Sequence, residues 1–165
     1  MIKRTALSLA VAAGVGFSAW AHHAGETVQA GDLVVSHAWT YANAEMAHAT
    51  SVYLTMDNRG AEPDRLVRAA VGFADEVVFQ AQVMNEAGAV ETRDVPAIQI
   101  NPGQTLTLEP GGIRLVLEGV HEQFEAGENF EIELVFERSG KADLIVEVEE
   151  PGHIGDDHDH EEPAS

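Results

Sequence analysis

The sequence predicts an all-β domain with the architecture of an antiparallel sandwich or barrel. Short β-type runs recur along the chain, and turn signals separate them about every eight to twelve residues. No segment carries a sustained helical period with capping residues. In residues 130–136, apolar side chains fall at every second position, which is typical of a half-buried strand. Together these observations favour packed sheets over a helical or mixed fold.

The first half of the domain contains five predicted strands. The second strand is the clearest, because Val52, Leu54 and Met56 alternate with other residues. Turn signals follow at Asn58-Arg59-Gly60 and at Glu86–Gly88. The five predicted strands are Leu33–Ser36, Ser51–Asp57, Leu66–Val71, Glu76–Val83 and Val90–Arg93.

The second half of the domain continues the same pattern. The turns at Asn101-Pro102-Gly103 and Glu109–Gly112 enclose a short strand on which Leu106 and Leu108 alternate. The strands predicted in this half are Ala97–Ile100, Leu106–Leu108, Ile113–Leu117, Phe130–Glu137 and Asp143–Val148.

The N-terminal residues 1–21 have the pattern of a secretory signal peptide. Lys3 and Arg4 provide the positive region, Ala6–Ala19 is apolar, and Ala19-Trp20-Ala21 has the small-x-small form of a cleavage site. The apolar run is short for a membrane span, although an uncleaved anchor is the alternative. We expect cleavage after Ala21 and an exported, soluble protein, most simply in the periplasm.

The mature chain then divides into three parts. Residues 22–31 form a polar leader, residues 32–148 form the domain, and residues 149–165 form an acidic tail whose composition predicts disorder. The formal net charge is -19, which argues against binding of nucleic acid or of an anionic membrane. The chain has no cysteine, so a metal ion would have to bind through His, Met, carboxylate or amine groups.

Cleavage after Ala21 would make His22 the N-terminal residue, with a free α-amine beside its imidazole. The amine and ring Nδ1 can chelate one ion, and a third nitrogen from another His would complete a histidine brace, which suits Cu(II). His48 is the favoured partner, because Met46-x-His48 is a plausible S/N pair, and His37 is the weaker choice. Cleavage after Trp20 would instead place His23 third, where it also chelates Cu(II). The alternative is that His22 and His23 are solvated terminal residues.

The acidic tail carries a second group of candidate ligands. His158 and His160 are separated by one residue and flanked by carboxylates, and His153 lies a few residues earlier. Such a site would bind Cu(II), Zn(II) or Ni(II) loosely, in a capture or buffering role. The alternative is a tail that only increases solubility.

Residues 33–148 resemble the periplasmic copper chaperones called PCu(A)C. The resemblance lies in an ordered series of short pieces along the domain: His37-Ala38-Trp39, Ser51–Gly60, Asp64–Val67, Val95–Ile98, Pro102–Leu106, Leu108–Gly112 and Leu115–Val120. It implies a cupredoxin-like antiparallel β-sandwich of the Greek-key type. It also implies a role in carrying copper, often towards oxidase assembly.

The resemblance places the family's His and Met copper ligands on four residues that cannot replace them. These residues are Gln80, Thr92, Arg114 and Val116. Neutral oxygens, an apolar side chain and a guanidinium offer a poor site for Cu(I). Met84 lies near Gln80, but its register does not match a ligand position, and it is interpreted as a core or rim residue.

These observations predict a copper chaperone whose site has moved to His22. Cu(II) is the favoured ion, with Cu(I) as the alternative, and a periplasmic or membrane cuproprotein is the expected acceptor. A metal-free assembly or protein-interaction module on the same scaffold is the competing hypothesis. An oxygen-activating enzyme ranks last, since the sequence contains no catalytic signature. The candidate metal ligands are therefore His22, His23, His48, His158 and His160.

Overall fold

The computed structural model describes residues 26–43 and 47–151, and within these ranges the chain is all-β. Eleven strands are formed, and no helix occurs in this part of the chain. The strands are β1 (Thr27–Ala30), β2 (Leu33–Tyr41), β3 (Ala49–Asn58), β4 (Asp64–Ala70), β5 (Glu76–Met84), β6 (Val90–Val95), β7 (Ile98–Ile100), β8 (Thr105–Leu108), β9 (Arg114–Glu118), β10 (Asn129–Phe136) and β11 (Gly140–Glu149).

The strands join into one hydrogen-bonded sheet that encloses a single core. The order is β6-β5-β9-β3-β2-β11-β10-β4-β7, with β1 added to β2 and β8 added to β3. Every strand except β6 contributes buried apolar residues to the same core cluster. Leu33, Leu54, Leu115 and Leu144 lie in it with at most 1% of their surface exposed. The all-β class is therefore confirmed.

One pairing departs from the expected antiparallel pattern. β11 runs parallel to β2, and Glu147 lies opposite Trp39 while Glu149 lies opposite Tyr41. The other pairings in this part of the chain are antiparallel. The parallel pair cannot be read from sequence, because it joins the first and last long strands across the whole domain. It brings the beginning and the end of the described chain to one place.

The leader contains a strand that the sequence did not predict. β1 pairs with the first half of β2, from Ala30 opposite Leu33 to Thr27 opposite Ser36. Gly31 and Asp32 form the two-residue turn, and Gly31 takes φ 55°, which favours glycine. The folded part of the chain thus begins within residues 22–31. At the other end β11 includes Glu149, the first residue of the predicted tail.

The ten predicted strands are all present, and the largest difference is at β2, which continues five residues beyond the predicted end at Ser36 to Tyr41. The clearest agreement is β10, where Phe130, Ile132, Leu134 and Phe136 are buried and face the core. Asn58, in the predicted turn, is buried and connects two chain segments. Its side-chain amide donates to the carbonyls of Glu62 (2.9 Å) and Ile100 (3.0 Å), which fixes this end of the sandwich.

Asp64 is a second buried polar residue that connects separate elements. Its carboxylate accepts hydrogen bonds from the backbone N–H groups of Arg65 (2.7 Å), Arg138 (3.0 Å) and Ser139 (2.9 Å). Burial raises the pKa of Asp64, but bonds from the Ser139 hydroxyl and these N–H groups outweigh it, so the pKa is lowered overall. The ionised side chain therefore holds β4 against the β10–β11 turn.

Candidate metal centre

A cleft of about 430 Å³ lies where β1, β2 and β11 meet. Its polar lining is acidic with one imidazole, since Glu26, His37, Glu147 and Glu149 all contribute to it. Ala38, Trp39 and Ile145 form the apolar part of the lining. A surface of this composition combines a nitrogen ligand with negative charge, and both favour a bound cation.

His37 occupies an unusual backbone conformation on the wall of this cleft. Its φ is 52°, and it is the one described residue other than glycine with a positive φ. The pairing of β2 with β3 shifts register between Ser36 and Trp39, so His37 and Ala38 form a bulge. The imidazole is exposed, and its Nδ1 lies 3.0 Å from the Ser36 hydroxyl oxygen. The bulge turns an otherwise regular strand so that His37 lines the cleft.

Glu26, the first described residue, lies at the cleft. Its carboxylate accepts a hydrogen bond from the backbone N–H of Ile145 at 3.2 Å. Thr27 lies opposite Ser36, so Glu26 continues β1 to the level of His37. His22 is only four residues upstream in the sequence. Four extended residues span at most about 14 Å, so the chain length allows His22 to reach His37.

His48 lies too far from His37 for the two to share an ion. It precedes β3, it is exposed, and its carbonyl accepts a hydrogen bond from Val120 N–H at 3.1 Å. Along β3, His48 is five residues before Tyr53, which lies opposite Trp39. His37 is two residues before Trp39 on β2, and because β2 and β3 are antiparallel, it lies on the opposite side of the Trp39–Tyr53 pair from His48. At about 3.3 Å per residue, the two histidines are roughly 20 Å apart along the strands.

The remaining predicted ligands fall outside the described residues. These are His22, His23, His158 and His160, together with Met46. Within residues 26–43 and 47–151, no three His, Asp or Glu side chains converge on a point that could hold a metal ion. Any tight site that uses His37 must therefore draw further ligands from the chain termini.

The four positions that the resemblance gave to copper ligands do come together. Gln80 lies opposite Arg114, Val78 lies opposite Val116, and Gln82 lies opposite Thr92. In β5 and β9, the neighbouring positions Phe79, Leu115 and Leu117 face the core, so this set lies on the opposite face of the sheet, where Val116 is nevertheless buried. The backbone frame of a four-ligand site is present, but its side chains are not copper ligands.

Arg114 dominates the chemistry of this outer surface. Its Nη2 donates to Gln80 Oε1 at 3.1 Å, and Gln80 Nε2 donates to Asp94 Oδ1 at 3.1 Å. Every other Lys or Arg in the described part of the chain contacts a carboxylate, whereas Arg114 has no such ion pair there. Its charge would repel a copper ion, and its bond occupies the Gln80 oxygen.

An aromatic group separates this surface from the cleft. The rings of Trp39 and Tyr53 are 4.4 Å apart, and those of Trp39 and Tyr41 are 5.0 Å apart. Continuing the β3–β9 register places Tyr53 beside Arg114. Trp39 is thus two strand spacings, or about 10 Å, from Arg114. The cleft and the Arg114 surface are neighbouring but distinct parts of one face.

Met84 is exposed, contrary to the interpretation that it belongs to the core or its rim. It has 73% of its surface accessible and lies at the end of β5, opposite Val90 of β6. The strand ends there, so no further element covers the side chain. The alternation of residues along β5 did not predict the exposure of Met84, because whether the end of a hairpin is covered by the core depends on tertiary structure.

The structure and the sequence both find relatives among copper-chaperone domains. The sequence profile of the LpqE-like family, which is of PCuAC type, matches residues 33–148. The chain therefore belongs to this family, and the expected PCu(A)C assignment is confirmed. No curated protein sequence is similar enough to count as a match.

Solved structures with the same fold are PCuAC domains. The apo PCuAC domain from PmoF1 is 28% identical with a TM-score of 0.68, and the alignment covers 76% of this chain and 100% of that one. The copper-bound PCuAC domain from PmoF2 is 25% identical with a TM-score of 0.67, covering 76% and 99%. The CuI-DR1885 structure from Deinococcus radiodurans, at 24% identity and a TM-score of 0.57, covers 68% of this chain and 75% of that one, and it shows the fold alone.

A search for membrane-spanning helices finds none in the described part of the chain. The predicted signal peptide lies outside these residues. The predicted export therefore stays a prediction.

Proposed function

We propose that this protein is a periplasmic copper carrier whose copper binds at the cleft between β1, β2 and β11. The ligands are the α-amine and Nδ1 of His22 and the imidazole of His37. The observation that carries the proposal is the bulge at His37, which sets an exposed imidazole in the cleft that Glu26 also lines, four residues from His22 in the sequence. The similarity to a copper-bound PCuAC domain supports copper as the cargo.

The N-terminal His suits this role because its two nitrogens are available at neutral pH. An α-amine has a pKa near 8 in peptides, so a metal ion displaces its proton at small cost. Amine and Nδ1 together close a six-membered chelate ring. With a third nitrogen from His37, the donor set is entirely nitrogen, which favours Cu(II) over Cu(I).

We propose His37 and not His48 as the partner of His22, because His37 is close enough for His22 to reach. Glu26 lies at the level of His37, and the four residues that separate it from His22 can span at most about 14 Å. His48 lies roughly 20 Å further along the strands. Glu26, Glu147 and Glu149 add negative charge around His37, and His48 is not among the residues that line the cleft.

Export and an acceptor protein complete the proposal. The signal-peptide pattern ends immediately before His22, so the same processing step would export the protein and create the ligand. The chain has no cysteine to carry a lipid, which differs from a lipoprotein and leaves His22 free to be N-terminal. The acceptor would be a periplasmic or membrane cuproprotein that takes copper by ligand exchange.

Equilibrium dialysis against Cu(II) tests the proposed site. Protein beginning at His22 should bind one copper tightly. Protein with three alanines before His22 should bind at least about a hundredfold more weakly, because the His22 amine is then an amide and neither His22 nor His23 is among the first three residues. Trp39 provides a second readout, since it is the only tryptophan after Trp20 and it lines the cleft. Equal tight binding by both proteins would overturn the proposal.

The second candidate is a metal-free assembly module on the same scaffold. Arg114 favours it, because a guanidinium stands where the resemblance expects a copper ligand and bonds to Gln80. This candidate predicts no stoichiometric copper on protein with the authentic N-terminus. The dialysis experiment therefore separates the two functions.

A further inference from the structure

β6 forms an edge of the sheet in the part of the chain that the structure describes. It stands first in the sheet order, and among the described strands it pairs with β5 alone. Its other side therefore presents backbone N–H and C=O groups that no described strand uses. Lys and Pro, which often protect such an edge, are absent from the sequence of β6. A further strand can be added at this edge.

Exposed apolar side chains lie at the same edge. Met84 and Val90 face each other across β5 and β6, and 73% and 62% of their surfaces are exposed. Val90 lies on the edge strand itself, on the same face as Thr92. A strand added to β6 would cover part of Val90, and the removal of this apolar surface from water would favour the contact.

The charges of β6 complement those of a second, antiparallel copy of the same strand. Glu91 and Arg93 lie on one face of β6 and form an ion pair within the strand. If two copies pair about a two-fold axis at Thr92, Glu91 of each copy lies opposite Arg93 of the other. The two Thr92 side chains then lie opposite each other. Opposite charges and paired Thr hydroxyls across a strand pair are both stabilising, so the edge is self-complementary.

The same charges disfavour the other symmetric registers. The core-facing sides of both sheets stay on one side only if the axis passes through a residue, because side chains alternate between the two faces. An axis at Glu91, Arg93 or Asp94 would place like charges directly opposite each other, which is destabilising. An axis at either end of β6 would pair most of the strand with residues outside it. The Thr92 register is therefore the favoured one.

We propose that β6 is a self-association edge, at which a second copy of this chain joins its sheet to the first in the Thr92 register. A single strand pair is smaller than the interface of a stable dimer, so association should need high protein concentration. The net charge of -19 on each chain opposes the contact, and salt screens this repulsion. β6 lies four strand spacings, about 19 Å, from β2, so the dimer leaves the copper cleft open.

Charge exchange tests the reciprocal pairing. Sedimentation velocity at about 0.15 M salt measures the association of protein beginning at His22, from micromolar to millimolar concentration. E91R and R93E should each weaken association at least about tenfold, because like charges then face each other. An equimolar mixture of the two variants should associate within about threefold of the original protein, since each Arg again faces a Glu and the summed charge is unchanged.

E131R is the matched control for charge. It makes the same change of charge as E91R at an exposed position of β10, away from the edge, so it should not weaken association. Circular dichroism confirms that each variant is folded. A protein that stays monomeric over the whole range would overturn the proposal. Association that E91R and R93E leave unchanged would also overturn it, because the contact would then lie elsewhere.

A disulfide tests the register directly, because the chain has no cysteine of its own. In T92C the two thiols should lie about 5 Å apart across the axis and oxidise to a covalent dimer. D94C is the matched control, since Asp94 is exposed on the same face. Its two copies would lie four residues, about 13 Å, apart along the strands, so this variant should not cross-link. Equal cross-linking of T92C and D94C would contradict the Thr92 register.

Discussion

At the residue scale, His37 combines a cost to stability with access to the cleft. A residue other than glycine is less stable with φ at 52° than in the β region, by about 1 kcal/mol. Strained non-glycine positions are found where a side chain must point in a particular direction. Here the His37 side chain lines the cleft together with Glu26 and Trp39. The local strain is consistent with a binding role and has no evident packing benefit.

Replacing His37 by glycine separates binding from stability. Glycine accepts φ 52° without strain but gains entropy in the unfolded chain, so the free energy of unfolding should change by less than about 1 kcal/mol. Copper affinity should fall at least about a hundredfold, because the third nitrogen is lost. Isothermal titration with Cu(II) and thermal denaturation measure the two quantities.

H48A is the matched control for H37G. His48 is equally exposed but lies away from the cleft, so its removal should leave copper affinity unchanged. If H48A lost affinity and H37G did not, the partner would be His48, as the spacing of Met46 and His48 first indicated.

The sequence alone predicts His22 as a ligand and His48 as its partner, and the structure leads us to propose His37 as the partner instead. A cleavage pattern is local, so the candidate N-terminal ligand could be identified from a few residues. The choice between His37 and His48 depends on the β1–β2 hairpin and on the β2 bulge. Neither has a strong local signature, since β1 has only four residues and a bulge leaves no fixed sequence pattern.

At the scale of elements, β5, β6 and β9 preserve a frame that other side chains could use. Gln80 and Arg114 are directly opposite each other, and Thr92 is diagonal to Gln80. Cross-strand neighbours have Cβ atoms about 5 Å apart, which is compatible with ligands of one ion. At the four positions that the resemblance assigns to copper ligands, this chain thus differs from His and Met in its side chains, while the strands place these positions close together.

The variant Q80H/T92M/R114H/V116M should gain a second copper site. Two imidazoles and two thioethers on this frame suit Cu(I), so one additional Cu(I) should bind under reducing conditions. Competition with a Cu(I) chelator measures it. Q80H/T92M/V116M, which keeps Arg114, is the matched control and should bind no second ion, because the guanidinium charge remains. Binding by neither variant, with the fold intact by circular dichroism, would contradict the preserved frame.

We expect the contact between β4 and the β10–β11 turn to depend on pH, because the ionised carboxylate of Asp64 forms it. In D64N the charge is lost and an amide N–H group faces a backbone N–H donor, so unfolding free energy should fall by about 1 to 3 kcal/mol at neutral pH. The pKa of Asp64 is lowered in the folded protein, so its contribution is complete above the ordinary value near 4. It is lost as the pH falls through the lowered value.

Urea denaturation of both proteins from pH 7 to pH 2 measures this dependence. The difference in stability should stay constant down to about pH 4 and shrink below it. A difference that grew as the pH fell would mean that the neutral form of Asp64 is the stabilising one, against the hydrogen bonds described.

Local patterning accounts for the elements that the sequence identified correctly. Strands such as β10 and β11 alternate buried positions with more exposed ones, and this period is visible in the residues themselves. The parallel β2–β11 pair was not predictable in the same way. Its partners are separated by almost the whole domain, and nothing in either strand specifies the other.

At the scale of the whole molecule, the topology brings both ends of the described chain, at Glu26 and Glu149, to one cleft beside the bulged strand β2. The net charge of -19 adds a general attraction for cations, which salt will screen at distances beyond about 10 Å. The carboxylates of the cleft act at shorter range and are screened less. The protein therefore has the arrangement expected of a carrier that collects a cation and holds it near the surface.

Electron paramagnetic resonance of protein beginning at His22, loaded with one equivalent of Cu(II), tests this account most directly. Hyperfine structure from coordinating nitrogens counts the ligands at the copper. We predict three nitrogens in the original protein, two in H37G, and loss of this pattern when three alanines precede His22. An identical spectrum in all three proteins would contradict the assignment of copper to His22 and His37.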